Sequence, residues 1–129
     1  MTNHAHGEFH VQINPQAQDE GAGSTLGRMS LDKTFEGDLS GTGKGEMLTV
    51  MTPSSSAVYA AIERVTGTLH GRSGGFALVH QGIATPQGQT LTIIVAPDSG
   101  SGELVGLTGT MEINIADGKH SYDLHYTLP

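Results

Sequence analysis

The stretch Ala57-Val-Tyr-Ala-Ala-Ile-Glu-Arg-Val-Thr-Gly-Thr-Leu69, continued through His70-Gly-Arg-Ser-Gly to Gly75-Phe-Ala-Leu-Val-His-Gln-Gly-Ile-Ala84, decides the fold class. β-branched and aromatic residues run through both arms, and no apolar set recurs at the three-and-four spacing of a helix. Two extended arms around a glycine-containing connection read as a β-hairpin. In the second arm Phe76, Leu78 and His80 share a face, and the size of the first two points that face inward. In the first arm Tyr59, Ala61, Glu63, Val65, Gly67 and Leu69 share one face, but both faces are partly apolar and parity alone does not choose between them.

The same period-two pattern extends in both directions. It covers Phe9 to Ile13, Met29 to Phe35, Met47 to Thr52, Gln89 to Ala96, Leu104 to Ile115 and His120 to Leu128. Residues 16–27 are polar and glycine-containing and read as a loop. Gly41-Thr-Gly-Lys-Gly45 reads as a turn, and Asp117-Gly118 is a strong two-residue hairpin signal. About eight strands in one domain (residues 1–129) predict an all-β fold. A single closed antiparallel β-barrel disposes of the sheet edges, with a two-sheet sandwich as the alternative. Gly37, Gly67, Gly106 and Gly109 suit the coiling a small barrel needs.

Composition excludes several functions. Six Lys and Arg against 13 Asp and Glu leave a net charge of −7 over 129 residues, which cannot lay a basic stripe along nucleic acid or an anionic membrane. With no cysteine there is no disulfide, thiolate metal site or cysteine nucleophile. No apolar run approaches the length of a membrane helix and no signal peptide is visible, so the expected location is cytoplasmic. Gly100 to Gly106 faintly resembles a dinucleotide loop, but strand-like alternation follows it where a helix is required. No Gly-x-Ser-x-Gly elbow occurs. His4, His6 and His10 alternate on one strand face, read as the solvated side of an exposed strand, and no metal or cofactor is assigned.

The remaining signal is polar residues on apolar faces. Closing the hairpin on Gly71-Arg72 places Glu63 opposite His80 and Gly67 opposite Phe76, a pairing that depends on turn length. Lys33 shares parity with Met29, Leu31 and Phe35, and Tyr122 shares a face with His120, Leu124 and Tyr126. Lys33, Tyr59, Glu63, His80 and Tyr122 thus form the candidate polar cluster of the barrel interior. Burying a carboxylate requires a partner, and a satisfied core network would account for the group. On the functional reading, a desolvated Glu63 of raised pKa works with His80 as general acid and base while Tyr59 and Tyr122 donate to a developing oxyanion. Glu63, His80 and Tyr122 are the catalytic candidates, and Lys33, Tyr59, Phe76 and His120 the ligand-binding ones. Alternation leaves both readings open.

Several stretches together carry a resemblance: Lys33 to Leu39, Val58 to Phe76, His80-Gln-Gly82, Ser99 to Gly109 and Asp117 to Tyr126. This ordered set resembles the bacterial DUF3224 family of undefined function, although Ser101 stands where that family's loop carries threonine. The resemblance implies an allene oxide cyclase-like, calycin-like barrel and brings no established catalytic residues with it. Its wider superfamily implies small, apolar, oxygenated ligands and cofactor-free isomerase or cyclase chemistry. The alternative is a non-catalytic binder, or a structural protein whose barrel is filled by its own side chains, with homo-oligomerisation open in either case.

Overall fold

The computed structural model describes residues 2–129 as nine β-strands. They are β1 (Asn3–Glu20), β2 (Thr25–Gly37), β3 (Leu39–Met51), β4 (Ala57–Leu69), β5 (Arg72–Thr85), β6 (Gly88–Val95), β7 (Ser101–Gly102), β8 (Thr108–Ala116) and β9 (Lys119–Thr127). All pairings are antiparallel. Each long strand pairs with its successor, β6 reaches β8 past the two-residue β7, and β9 returns to β1. The result is an up-and-down barrel of eight strands with β7 added on β5. Among the described residues no helix is long and apolar enough to cross a membrane.

Alternation sets the interior as expected. On β4, Ala61, Glu63, Val65 and Leu69 are buried while Ile62 is 64% exposed, which settles the parity left open by composition. The β4–β5 turn, however, sits one residue earlier than Gly71-Arg72. His70 and Gly71 both take left-handed backbone, with φ of 47° and 82°, as a tight two-residue hairpin turn requires, and Leu69 pairs with Arg72. The register therefore moves by two: Glu63 faces Leu78 across the ladder, and His80 faces Ala61. A shift of two preserves every inward residue, so Glu63 and His80 become diagonal neighbours. Asp117 and Gly118, with φ of 53° and 76°, make the hairpin turn their sequence predicts.

Three other expectations are corrected. Residues 16–27 are mostly strand: β1 continues to Glu20, with a bulge between Pro15 and Ala17, and turns at Gly21 to Ser24. From Pro15 to Glu20 every residue is exposed, so no buried face existed to produce alternation. Gly41 to Gly45 lies inside β3 rather than in a turn. Gly41, Gly43 and Gly45 occupy inward positions where β3 passes so close to its neighbours that a methyl at Gly45 would stand 1.9 Å from the Ile62 carbonyl oxygen. Finally, β8 begins only at Thr108, because Leu104 and Leu107 belong to the preceding segment, which plugs one end of the barrel with both side chains.

That plug makes the two ends unlike. At the closed end Phe35, Leu39, Leu69, Phe76, Leu78, Leu104, Leu107, Tyr122 and Leu124 form a continuous core. The open end is ringed by the β1–β2, β3–β4, β5–β6 and β8–β9 turns, and among the described residues no other segment lies across it.

Candidate functional site

Above the core the barrel interior opens into a cavity of about 340 Å³. Its wall is apolar, from Phe9, Val11, Ile13, Leu31, Met51 and Leu91 among others, with Lys33, Tyr59, His80 and His120 contributing the titratable groups. A larger hollow of about 690 Å³ lies beside β4 and β5 and is lined by short polar residues and glycines. There Ser99 and Ser101 are already engaged, accepting the backbone N–H groups of Ala77 and Gly75. The interior cavity is therefore the better-formed candidate site.

Its floor is an ionic triad. Lys33 Nζ donates to Glu63 Oε1 at 2.8 Å, and His80 Nε2 meets the same oxygen at 2.7 Å. All three residues are buried. The Lys33 ammonium also lies 5.1 Å from the centre of the Phe9 ring, within cation–π range. Space for the carboxylate comes from Gly43, where a methyl group would stand 2.7 Å from Glu63 Oε2. Burial pushes the Glu63 carboxyl up, but the His80 hydrogen bond and the Lys33 charge and hydrogen bond outweigh it, holding the group below its ordinary value of 4.5. The expected raised pKa is thus reversed: two donors on one oxygen favour the charged form more than burial opposes it.

An ionised carboxylate only accepts, so the imidazole hydrogen toward Glu63 lies on Nε2. The other ring nitrogen, Nδ1, has no hydrogen-bond partner and is not sealed in protein; Glu63 Oε2 is the only fully enclosed side-chain polar atom left unpaired among the described residues. His80 lines the cavity, and nothing among the described residues pairs with its Nδ1. Tyr59 lies across Gly82, its partner on β5, and its ring occupies the space a β-carbon there would need. Burial raises the Tyr59 phenol above its ordinary 10.0, keeping it a neutral donor. His120 packs edge-on to Phe9, ring centres 5.3 Å apart.

A family model described as a protein of unknown function, DUF3224, matches residues 5–126. The chain belongs to the DUF3224 family. A crystal structure of a DUF3224 protein of unknown function from Shewanella oneidensis MR-1 is 45% identical, covering 100% of this chain and 99% of that one with a TM-score of 0.93. No curated protein matches.

In this DUF3224 barrel the sequence candidates divide by height. Lys33, Tyr59, His80 and His120 border the cavity, with Glu63 directly beneath. Tyr122 belongs to the closed end: its hydroxyl donates to the Glu36 carbonyl at 2.8 Å and accepts the Leu39 N–H at 2.9 Å, pinning the β2–β3 connection. It is structural and takes no part in the ionic triad. Phe76 is likewise core, opposite Val65 on β4 and below the floor. Residues not foreseen as lining include Met47, Thr49, Met51 and Ile115. Their inward parity was readable, but their height along the barrel was not. Among the described residues the cavity brings no three metal-ligating groups together.

Proposed function

We propose that this protein binds a small, apolar, oxygenated molecule in the open-end cavity. One observation carries the reading: an apolar space of about 340 Å³ bordered by Lys33 and His80, both anchored on the buried Glu63 beneath. That volume falls at the lower end of the ~300–1,000 Å³ typical of small-molecule sites. Tyr59 would donate to a carbonyl or ether oxygen and His80 Nδ1 would accept from a hydroxyl. The resemblance to allene oxide cyclase-like barrels points to the same ligand chemistry.

The test is a thermal-shift screen of medium-chain alcohols, ketones and lactones against the wild type and Ala61→Phe, which places a ring into the cavity. Binding raises the wild-type melting temperature, because a ligand that prefers the native state stabilises it, and the rise is lost in the filled variant. No rise with any compound, or an equal rise in Ala61→Phe, overturns the proposal.

A second reading is cofactor-free isomerisation, favoured by the 2.7 Å contact of His80 Nε2 with Glu63 Oε1, which holds the imidazole at the cavity wall. Nδ1 would take a proton from the carbon beside a carbonyl and return it to a second carbon, with Tyr59 donating to the enolate oxygen. Glu63 would stabilise the imidazolium, making His80 the base and Glu63 its positioning residue. Deuterium uptake from solvent into a bound ketone, abolished in His80→Gln, separates catalysis from binding; no uptake leaves a binder.

A further inference from the structure

We infer that the outer wall of the barrel carries a divalent transition-metal site of the zinc type, built from His4 and His6 on β1 and Asp123 on β9. The ladder pairs His6 with Asp123 and His4 with His125, so alternate outward positions on one strand meet a carboxylate on the next. His4 Nε2 stands 3.0 Å from Asp123 Oδ1, and His6 Nδ1 stands 3.6 Å from the same oxygen. One ligand atom from each residue lies within 4.8 Å of the other two. Zinc–ligand bonds are about 2.0–2.2 Å, so neighbouring ligand atoms around the ion stand ~3–3.5 Å apart, and small side-chain rotations complete the set. Two imidazoles and a carboxylate suit zinc, with water in the remaining position.

Neighbouring groups support the two histidines. His6 Nε2 lies 3.8 Å from Asp38 Oδ2, while the same carboxylate oxygen accepts the His6 backbone N–H at 3.0 Å. With Nδ1 on the metal, the Nε2 hydrogen faces that carboxylate, the usual outer partner of a ligating histidine. His125 stacks on the His4 ring, centres 4.4 Å apart and planes 16° from parallel, which restrains its orientation. His10, although on the same face of β1, turns instead to Glu36 at 3.6 Å and stays outside the group. The site straddles the β1–β9 pairing that closes the barrel, on the outer face and three ladder positions from Phe9 and His120 of the cavity wall.

The test is calorimetric titration of zinc chloride into the full chain, tag-free and stripped with chelator. Wild type is expected to bind one zinc ion saturably and to gain melting temperature with it, since the ion bridges the closing strands. Asp123→Asn and His6→Ala should each weaken binding at least about tenfold, Asp38→Asn by about tenfold, and His10→Ala should leave it unchanged. All four side chains are substantially exposed, and circular dichroism verifies that the barrel persists. Absence of saturable binding overturns the inference, as does equal affinity in a His4→Ala, His6→Ala, Asp123→Ala triple variant. So does a loss in His10→Ala matching that in His6→Ala, which would mean diffuse binding to a histidine-rich face.

Discussion

The closed and open halves of the barrel share the same eight strands and the same alternation, yet one is solid and the other hollow. At the closed end the inward positions carry Phe35, Leu39, Leu69, Phe76, Leu78, Tyr122, Leu124 and Tyr126, and the plug adds Leu104 and Leu107. At the open end Ala57, Ala61 and Thr49 stand among larger residues such as Phe9, Leu31 and Met51, and among the described residues no segment beyond the turns lies across the mouth. The plug of Leu104 and Leu107 at one end makes the difference, not strand pattern. Between the halves lies the triad of Lys33, Glu63 and His80. A buried ionic group is a poor substitute for apolar packing as a source of stability. Its position at the boundary puts Lys33 and His80 at the cavity wall with Glu63 beneath them.

The sharpest way to break this contrast is Phe76→Ala. In the solid half it should cost about 3–5 kcal/mol in urea unfolding, since the neighbours cannot collapse into the space. Met51→Ala at the mouth, where the side chain is 54% exposed, should cost under about 1 kcal/mol. Similar costs at both positions would mean that the halves are packed alike.

Next in size is the boundary. Glu63→Gln removes the charge that faces Lys33 and His80 and should cost about 3 kcal/mol, the lower end for breaking a buried pair. The effect has a pH signature. Because the folded Glu63 carboxyl titrates below its ordinary 4.5, its contribution is complete above that value and is lost as pH falls through the folded value. The stability gap between wild type and Glu63→Gln should therefore narrow on acidification below 4.5 and hold steady above it. A gap that stays constant into acid would show that Glu63 is not ionised in the fold. Smallest in stability is Tyr59→Phe, under about 1 kcal/mol, since the ring keeps its place over Gly82. Its effect should fall on ligand affinity, about tenfold weaker for a ketone found in the screen.

How much of this could be read from sequence follows the same division. The inward face of β5 is legible from Phe76 and Leu78, and hairpin pairing carries it to Glu63 even though β4 alone leaves its parity open; the true turn lies one residue earlier than Gly71-Arg72. Gly71 can serve as either central residue of a two-residue turn, and only His70 adopting left-handed backbone decides. The inward glycines of β3 have no hydropathy to alternate, so a strand looked like a turn. Tyr122 has the right parity but the wrong height, and height depends on the stagger accumulated around all eight strands. The zinc-type group was half visible: His4 and His6 alternate in sequence, but Asp123 is more than a hundred residues away and arrives only through the β1–β9 register.

That register also bears on how the molecule is made. Every long-strand pairing but one joins strands adjacent in the chain or separated only by β7, so most of the sheet can zip up hairpin by hairpin as the polypeptide emerges. The exception pairs Asn3 with Tyr126 and must wait until β9 has been synthesised. Until then the nascent chain is an open sheet with β1 and β8 as bare edges, the state most exposed to pairing with a neighbouring chain. Docking of β9 against β1 is the step that turns an open ribbon into a closed cylinder.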